Sequence, residues 1–171
     1  MTRSTNQLRV REVMSKDVVV VSPADTLHDA FELIVENRVS ALPVVDGHDR
    51  CVGMLSTSDL IDLTHELEDE LQNLGRADES GRPLLIERLA EAFGGEKVSA
   101  YMTESVAMIG AEIPLSEAAG MMLRNRVHRL PVVDDRKRLL GILSTTDIVA
   151  AVADGLAKMA HSHDCQSSGL D

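Results

Sequence analysis

The chain has 171 residues, 44% of them apolar, enough to close a hydrophobic core, while 28 acidic residues against 17 basic ones give a net charge of −11. A surface of that sign repels a phosphate backbone, so nucleic acid is not expected as a partner, and no apolar run approaches the ~20 residues of a membrane helix. With two Phe, one Tyr and no Trp, a bound base would have to lie against aliphatic side chains and backbone, for want of an aromatic platform.

The N-terminal stretch MTRSTNQLRVREVM has no apolar h-region of a signal peptide, so the expected location is the cytoplasm. Within it, VREVM reads as a short helical turn. The β-branched run at 18–21 predicts a buried strand. Leu27, Ala30, Phe31, Ile34 and Val35 then recur at helical spacing and predict an amphipathic helix. Two further strands, ALPVV and CVGML, flank a polar turn at 46–50, and a second helix opens at Ser56.

Segment 62–97 reads differently. Leu63, Leu67, Leu71 and Leu74 form an apolar stripe on an acidic helix that carries the preceding one to about residue 74. Gly75 and Gly81-Arg82-Pro83 interrupt it, LLIERLAEAF forms another helix, and Gly94-Gly95 ends that. An antiparallel helical connector fits, with the leucines serving packing.

After it the first pattern returns. VSAYM is again a helical turn, 106–109 a strand, and Leu115, Ala118, Ala119, Met122 and Leu123 a helix face. RLPVV and LLGIL flank the turn at 134–138, and a helix opens at Ser144. NRVSALPVVD recurs as NRVHRLPVVD and GMLSTSD as GILSTTD, so that Pro43 and Asp59 return as Pro131 and Asp147, 88 residues on. The expected organisation is one β-α-β-β-α unit over 10–61, the connector over 62–97, a second unit over 98–156 and a disordered tail over 157–171. The fold class is α/β.

The sharpest chemical feature is the G-x-x-S-x-x-D at each strand-to-helix junction. Its plain reading is a helix cap, with Ser56 and Ser144 as N-caps and Asp59 and Asp147 three residues on, as in a capping box. The functional reading uses the same geometry: a hydroxyl and open backbone N–H groups at a helix start suit phosphate, and an ionised Asp can accept two ribose hydroxyls. Both can hold together. Just before each LPVVD stand Ser40-Ala41 in one copy and His128-Arg129 in the other. Alone, Arg129 would be a solvent-facing edge residue; beside Ser144 and Asp147 it is placed for bidentate phosphate contact.

No catalytic constellation emerges. The histidines at 28, 48, 65, 128, 161 and 163 have no ligand spacing, and G-x-S-x-G and Walker-type loops are absent. Cys51 and Cys165 form no C-x-x-C, so reduced thiols are expected and no metal site is assigned. His161, His163 and Cys165 could bind a soft metal weakly, and a disordered terminus is the preferred reading.

These motifs resemble the cystathionine-β-synthase (CBS) domain, and the chain is similar to a tandem CBS pair, or Bateman module, over all but the first nine residues, the connector and the tail. The resemblance implies two pseudo-twofold-related units whose small three-stranded sheets pack into a disc with two clefts. It implies an adenosyl ligand such as AMP, ADP or ATP, with NAD and S-adenosylmethionine as further candidates, and a homodimer. Carried over, one cleft would use Asp17, Val18, Val19, Val39, Ser40, Ala41, His128, Arg129, Ser144, Thr146 and Asp147. The other would use Ser105, Val106 and Ala107 with Ser40, Ala41, Ser56, Ser58 and Asp59. Because Ala41 stands where Arg129 stands in the first, the Arg129 cleft is expected to be tighter by about tenfold or more, the worth of a charge-assisted hydrogen bond. The expected role is a regulatory sensor, without enzymatic activity, that signals through an unidentified effector protein or a homodimer rearrangement. The rivals are an interaction module with vestigial clefts and a nucleotide-hydrolysing enzyme.

Overall fold

The computed structural model describes residues 8–59 and 95–164, with 156–164 in their backbone course. The connector residues Leu63, Leu67, Leu71, Leu74, Gly75 and Gly81-Arg82-Pro83, the LLIERLAEAF segment and Gly94 lie outside the described residues, as does Cys165.

The chain forms two compact units, one from 19–106 and the other from 1–18 together with 107–171. In the first-repeat unit, α1 (Leu27–Asn37) precedes an antiparallel pair, β1 (Ala41–Val45) and β2 (Cys51–Ser56). α1 begins at Thr26, whose hydroxyl and backbone exchange hydrogen bonds with Asp29 in a capping box. Leu27, Ala30, Phe31 and Ile34 turn inward onto Leu42, Val44 and Leu55. In the second-repeat unit, β3 (Ile109–Gly110), α2 (Leu115–Asn125), β4 (Arg129–Val133), β5 (Leu139–Ser144) and α3 (Thr145–Asp164) repeat the order. Its sheet has three strands, with β3 parallel and β5 antiparallel to the central β4.

The polar turns form as expected. Asp46 accepts from the backbone N–H groups of His48 and Arg50 at 2.9 and 3.0 Å, and Asp134 does the same for Arg136 and Arg138 at 2.9 and 2.8 Å. Each aspartate also holds an arginine side chain, Arg50 or Arg138.

Four expectations are corrected. The run at 18–21 is not a buried strand: only Val21 pairs, by one parallel bridge to Val44, so the first-repeat sheet has two strands and that bridge, and Val20 is exposed. The run at 106–109 likewise reaches the sheet only at β3. The cause lies in the central strand. Val21 donates to the Pro43 carbonyl and accepts from Val45, so the next rung of the parallel ladder would need an N–H that Pro43 lacks; Pro131 sets the same limit on β3. Val35 and Leu123, expected on the inner helix faces, are 56% and 80% exposed, while Ile34 and Met122 beside them are buried, so the inward stripe of each helix is narrower than the apolar pattern. Finally, α3 continues through Asp164, so the tail expected from residue 157 is helical over its first part.

The short turns that lead into each copy form 3₁₀ helices, Val10–Glu12 and Val98–Ala100, and each belongs to the other copy's unit. Val10 is fully buried in the second-repeat core with Ile109, Leu115, Leu130 and Leu143. Val98 is fully buried with Val21, Leu27, Leu42 and Leu55. Backbone hydrogen bonds fix both: Val10 and Arg11 donate to Ile113 and Ala111, while Val98 and Ser99 donate to Asp25 and Pro23. Past each turn the chain pairs with the second strand of the hairpin, Ser15 with Ile142 of β5 and Thr103 with Met54 of β2. The first lead-in has an additional ionic clamp, in which Arg11 meets Glu112 at 2.5 Å and Arg9 donates to the Glu112 carbonyl.

Candidate functional site

In the second-repeat unit, Arg129 opens β4 and lies directly opposite Ser144, the last residue of β5. Thr145, the first residue of α3, donates both its backbone N–H and its hydroxyl to the His128 carbonyl, at 2.9 and 3.1 Å. Strand start and helix start are thereby tied together, which places Arg129, Ser144, Thr146 and Asp147 around one helix N-terminus. There the Ser144 N–H and hydroxyl donate to Asp147 Oδ2 at 2.7 and 2.6 Å, and the Asp147 N–H returns a bond to the Ser144 hydroxyl at 3.2 Å. Ser144 and Asp147 are half-buried, Thr146 and His128 exposed. Asp17, which is exposed, Val18 and Ala107 belong to this unit, Ala107 packing against its core.

The first-repeat unit repeats the arrangement with different chemistry. Ala41 lies opposite Ser56, and the Thr57 N–H donates to the Ser40 carbonyl at 3.0 Å. Ser56 N–H and hydroxyl donate to Asp59 Oδ2 at 2.7 and 2.6 Å. Ser58 is exposed at the next turn position. Val19, Val39, Ser105 and Val106 fall in this unit, Val19 and Val39 packing on its core. The residues expected to form the tighter cleft are therefore divided, with Asp17, Val18 and 128–147 in one unit and Val19 and 39–41 in the other.

The capping reading of S-x-x-D is thus realised in both copies. The cap engages the Ser144 hydroxyl and the N–H groups of Ser144, Thr145 and Asp147; what remains for an anion at this helix start is its dipole, and the serine hydroxyl would have to turn from the carboxylate to reach one. One residue escaped the sequence reading: Thr103, whose hydroxyl donates to Asp59 Oδ1 at 3.2 Å. It lies 44 residues from Asp59, outside any motif. The only signal is that a hydroxyl residue, Ser15, occupies the same register in the other copy.

Little else in the described residues is reactive. Cys51 is a buried free thiol, and burial pushes its pKa up, which disfavours the thiolate needed for nucleophilic or metal chemistry. Among the described residues no group of three or more His, Cys, Asp or Glu side chains could hold a metal ion. The side chains of His161, His163 and Cys165 lie outside the described set. No described helix is long and apolar enough to cross a membrane.

Comparison with known proteins follows the same lines. The chain is 33% identical over 153 residues to the chloroplastic CBS domain-containing protein CBSX1 of Arabidopsis thaliana, an alignment covering 83% of this chain and 63% of that protein. It is 33% identical over 138 residues to the inosine-5′-monophosphate dehydrogenase of Methanocaldococcus jannaschii, but that match covers 81% of this chain and only 22% of the dehydrogenase. The chain thus spans less than two thirds of either relative. Among solved structures, CBSX2 of Arabidopsis thaliana in complex with AMP aligns with a TM-score of 0.65 at 30% identity, covering 85% of this chain and 96% of that one. The CBS domain model matches twice, at residues 10–66 and 98–154, in the two copies found by internal repetition; the chain belongs to the CBS domain family and carries its domains as a tandem pair.

Proposed function

We propose that this chain is a regulatory module that binds an adenosyl ligand, with AMP, ADP or ATP as the foremost candidates and NAD and S-adenosylmethionine behind them. The observation that carries the reading is the duplicated serine and aspartate at a helix start beside a strand opening, joined in one copy by Arg129. That pattern stands in a chain 30% identical to CBSX2, whose structure contains AMP. In this assignment the Arg129 guanidinium and the positive end of the α3 dipole take the phosphate, Thr146 adds a hydroxyl and Asp147 accepts the ribose hydroxyls. Asp17, Val18 and Ala107 of that unit offer aliphatic and backbone surface for the base. In the other unit Ser56, Ser58 and Asp59, with Val19, Val39, Ser40, Ala41, Ser105 and Val106, are the candidate residues of the weaker counterpart. No reaction is assigned. The output passes through an effector protein or a rearranged homodimer in the cytoplasm, and requires that ligand prefer one of two states.

The test is thermal unfolding with AMP, ADP, ATP, NAD, S-adenosylmethionine and GTP, since a ligand at 100 times its Kd adds about 2.7 kcal/mol. We expect one adenosyl compound to raise the melting temperature clearly and Asp147→Ala to abolish the rise. Arg129→Ala should weaken binding about tenfold or more, the value of one charge-assisted hydrogen bond. No response to any compound would favour the second reading, an interaction module in which the serines and aspartates serve as caps alone. The reciprocal Ser–Asp bonds of both copies are the observation behind that alternative.

A further inference from the structure

Thr103 separates two carboxylates that the sequence motif makes identical. An ionised carboxylate offers about four lone-pair positions. Asp147 uses two of them, both on Oδ2 and both filled by Ser144. Among the described residues its Oδ1 takes no hydrogen bond, which leaves two positions on one oxygen, as many as a vicinal diol donates. Asp59 also receives two bonds on Oδ2 from Ser56, but its Oδ1 accepts a third from Thr103. One position remains.

The difference comes from the lead-in segments. Thr103 is locked to Met54 by a reciprocal backbone pair at 3.0 and 2.9 Å, and its β-branched side chain has few χ1 choices, so the hydroxyl is held against Asp59. Ser15 is locked to Ile142 in the same way at 2.9 Å, yet its unbranched side chain makes no bond to Asp147.

We propose that Thr103 sets the ligand selectivity of the Asp59 half-site: it occupies an acceptor position that the second ribose hydroxyl would need. This rests on the adenosyl-ligand reading above and refines it. The Asp147 site reads both hydroxyls of a ribonucleotide. The Asp59 site reads at most one, binds ribonucleotides more weakly and does not distinguish a ribonucleotide from its 2′-deoxy form.

The experiment is calorimetric titration of the full chain with AMP and with 2′-deoxy-AMP, for the unaltered protein, Thr103→Val, Ser15→Thr and Asp147→Ala. In the unaltered protein the tighter site should prefer AMP by about fivefold, the worth of one hydrogen bond, and the weaker site should show no preference. Thr103→Val, which keeps the side-chain shape, should tighten AMP at the weaker site about fivefold and create the preference there. Ser15→Thr should do the reverse at the tighter site, and it decides the matter should Thr103→Val fail to fold. If Asp147→Ala removes the tight site while Thr103→Val and Ser15→Thr change neither affinity nor preference, Thr103 has no such role and the nucleotide reading stands. If the unaltered protein binds neither probe, the AMP form of that reading falls and this proposal with it.

Discussion

Asp46 and Asp134 each organise a five-residue hairpin connection by accepting backbone N–H groups and an arginine side chain. The Arg50 side chain, followed by the backbone N–H groups of His48 and Arg50, lowers the Asp46 pKa to about 2. The backbone N–H of Arg138, followed by its side chain, lowers that of Asp134. Since the folded pKa lies below the unfolded value of about 3.9, each carboxylate stabilises the fold above about pH 4, and for Asp46 that contribution is lost as pH falls through about 2. Asp46→Asn keeps an oxygen for the turn and removes the charge. It should therefore lower the urea midpoint near neutral pH by an amount that shrinks with added salt and vanishes in acid. A difference from the unaltered protein that persisted at low pH would show that shape, not charge, holds the turn. At this same scale the serines and aspartates of the candidate site were legible in the sequence, because a capping box has a fixed local spacing. Thr103 was not, since its contact with Asp59 is created only when a distant lead-in segment docks.

At the scale of elements, both strand pairs, both covering helices and both hairpin turns were legible from the 88-residue repeat and from apolar periodicity. The first strand of each copy was misjudged for a reason that hydrophobicity does not encode: the proline in the neighbouring strand ends the parallel ladder. The docking of the lead-ins depends on two glycines. A Cβ at Gly53 would stand 2.8 Å from the Thr103 carbonyl oxygen, and one at Gly141 would stand 2.6 Å from that of Ser15. In both cases the obstacle is backbone that is itself hydrogen-bonded to the neighbouring strand residue, so it cannot move aside cheaply. Gly53→Ala and Gly141→Ala should each cost about 1–3 kcal/mol of stability, as overpacking does. At Gly47 a Cβ would meet nothing within 4 Å, and Gly47→Ala should leave the unfolding midpoint where it is. Equal effects at all three positions would mean that glycine matters here only through chain entropy.

At the scale of the whole molecule, the sequence repeat and the structural unit do not coincide. The copies read along the chain as two consecutive blocks, but each compact unit takes its lead-in turn from the other block. No local pattern announces such an exchange, because the apolar residues of VREVM and VSAYM call for burial without saying in which copy. The consequence is that residue 10 supports the core of the second copy and residue 98 the core of the first. Val10→Ala removes two buried methyl groups' worth of surface and leaves a void, at a cost of about 2 kcal/mol. In native-state hydrogen exchange the loss should appear chiefly as faster opening of α2, β4 and β5, far along the chain from the substitution, while α1, β1 and β2 keep most of their protection. Val98→Ala should give the opposite pattern. Loosening confined to the copy that follows each substituted residue would refute the exchange. The predicted pattern would mean that whatever disturbs one lead-in is felt first in the opposite copy, since Ser15 and Thr103 end those segments paired with Ile142 and Met54 in their own units.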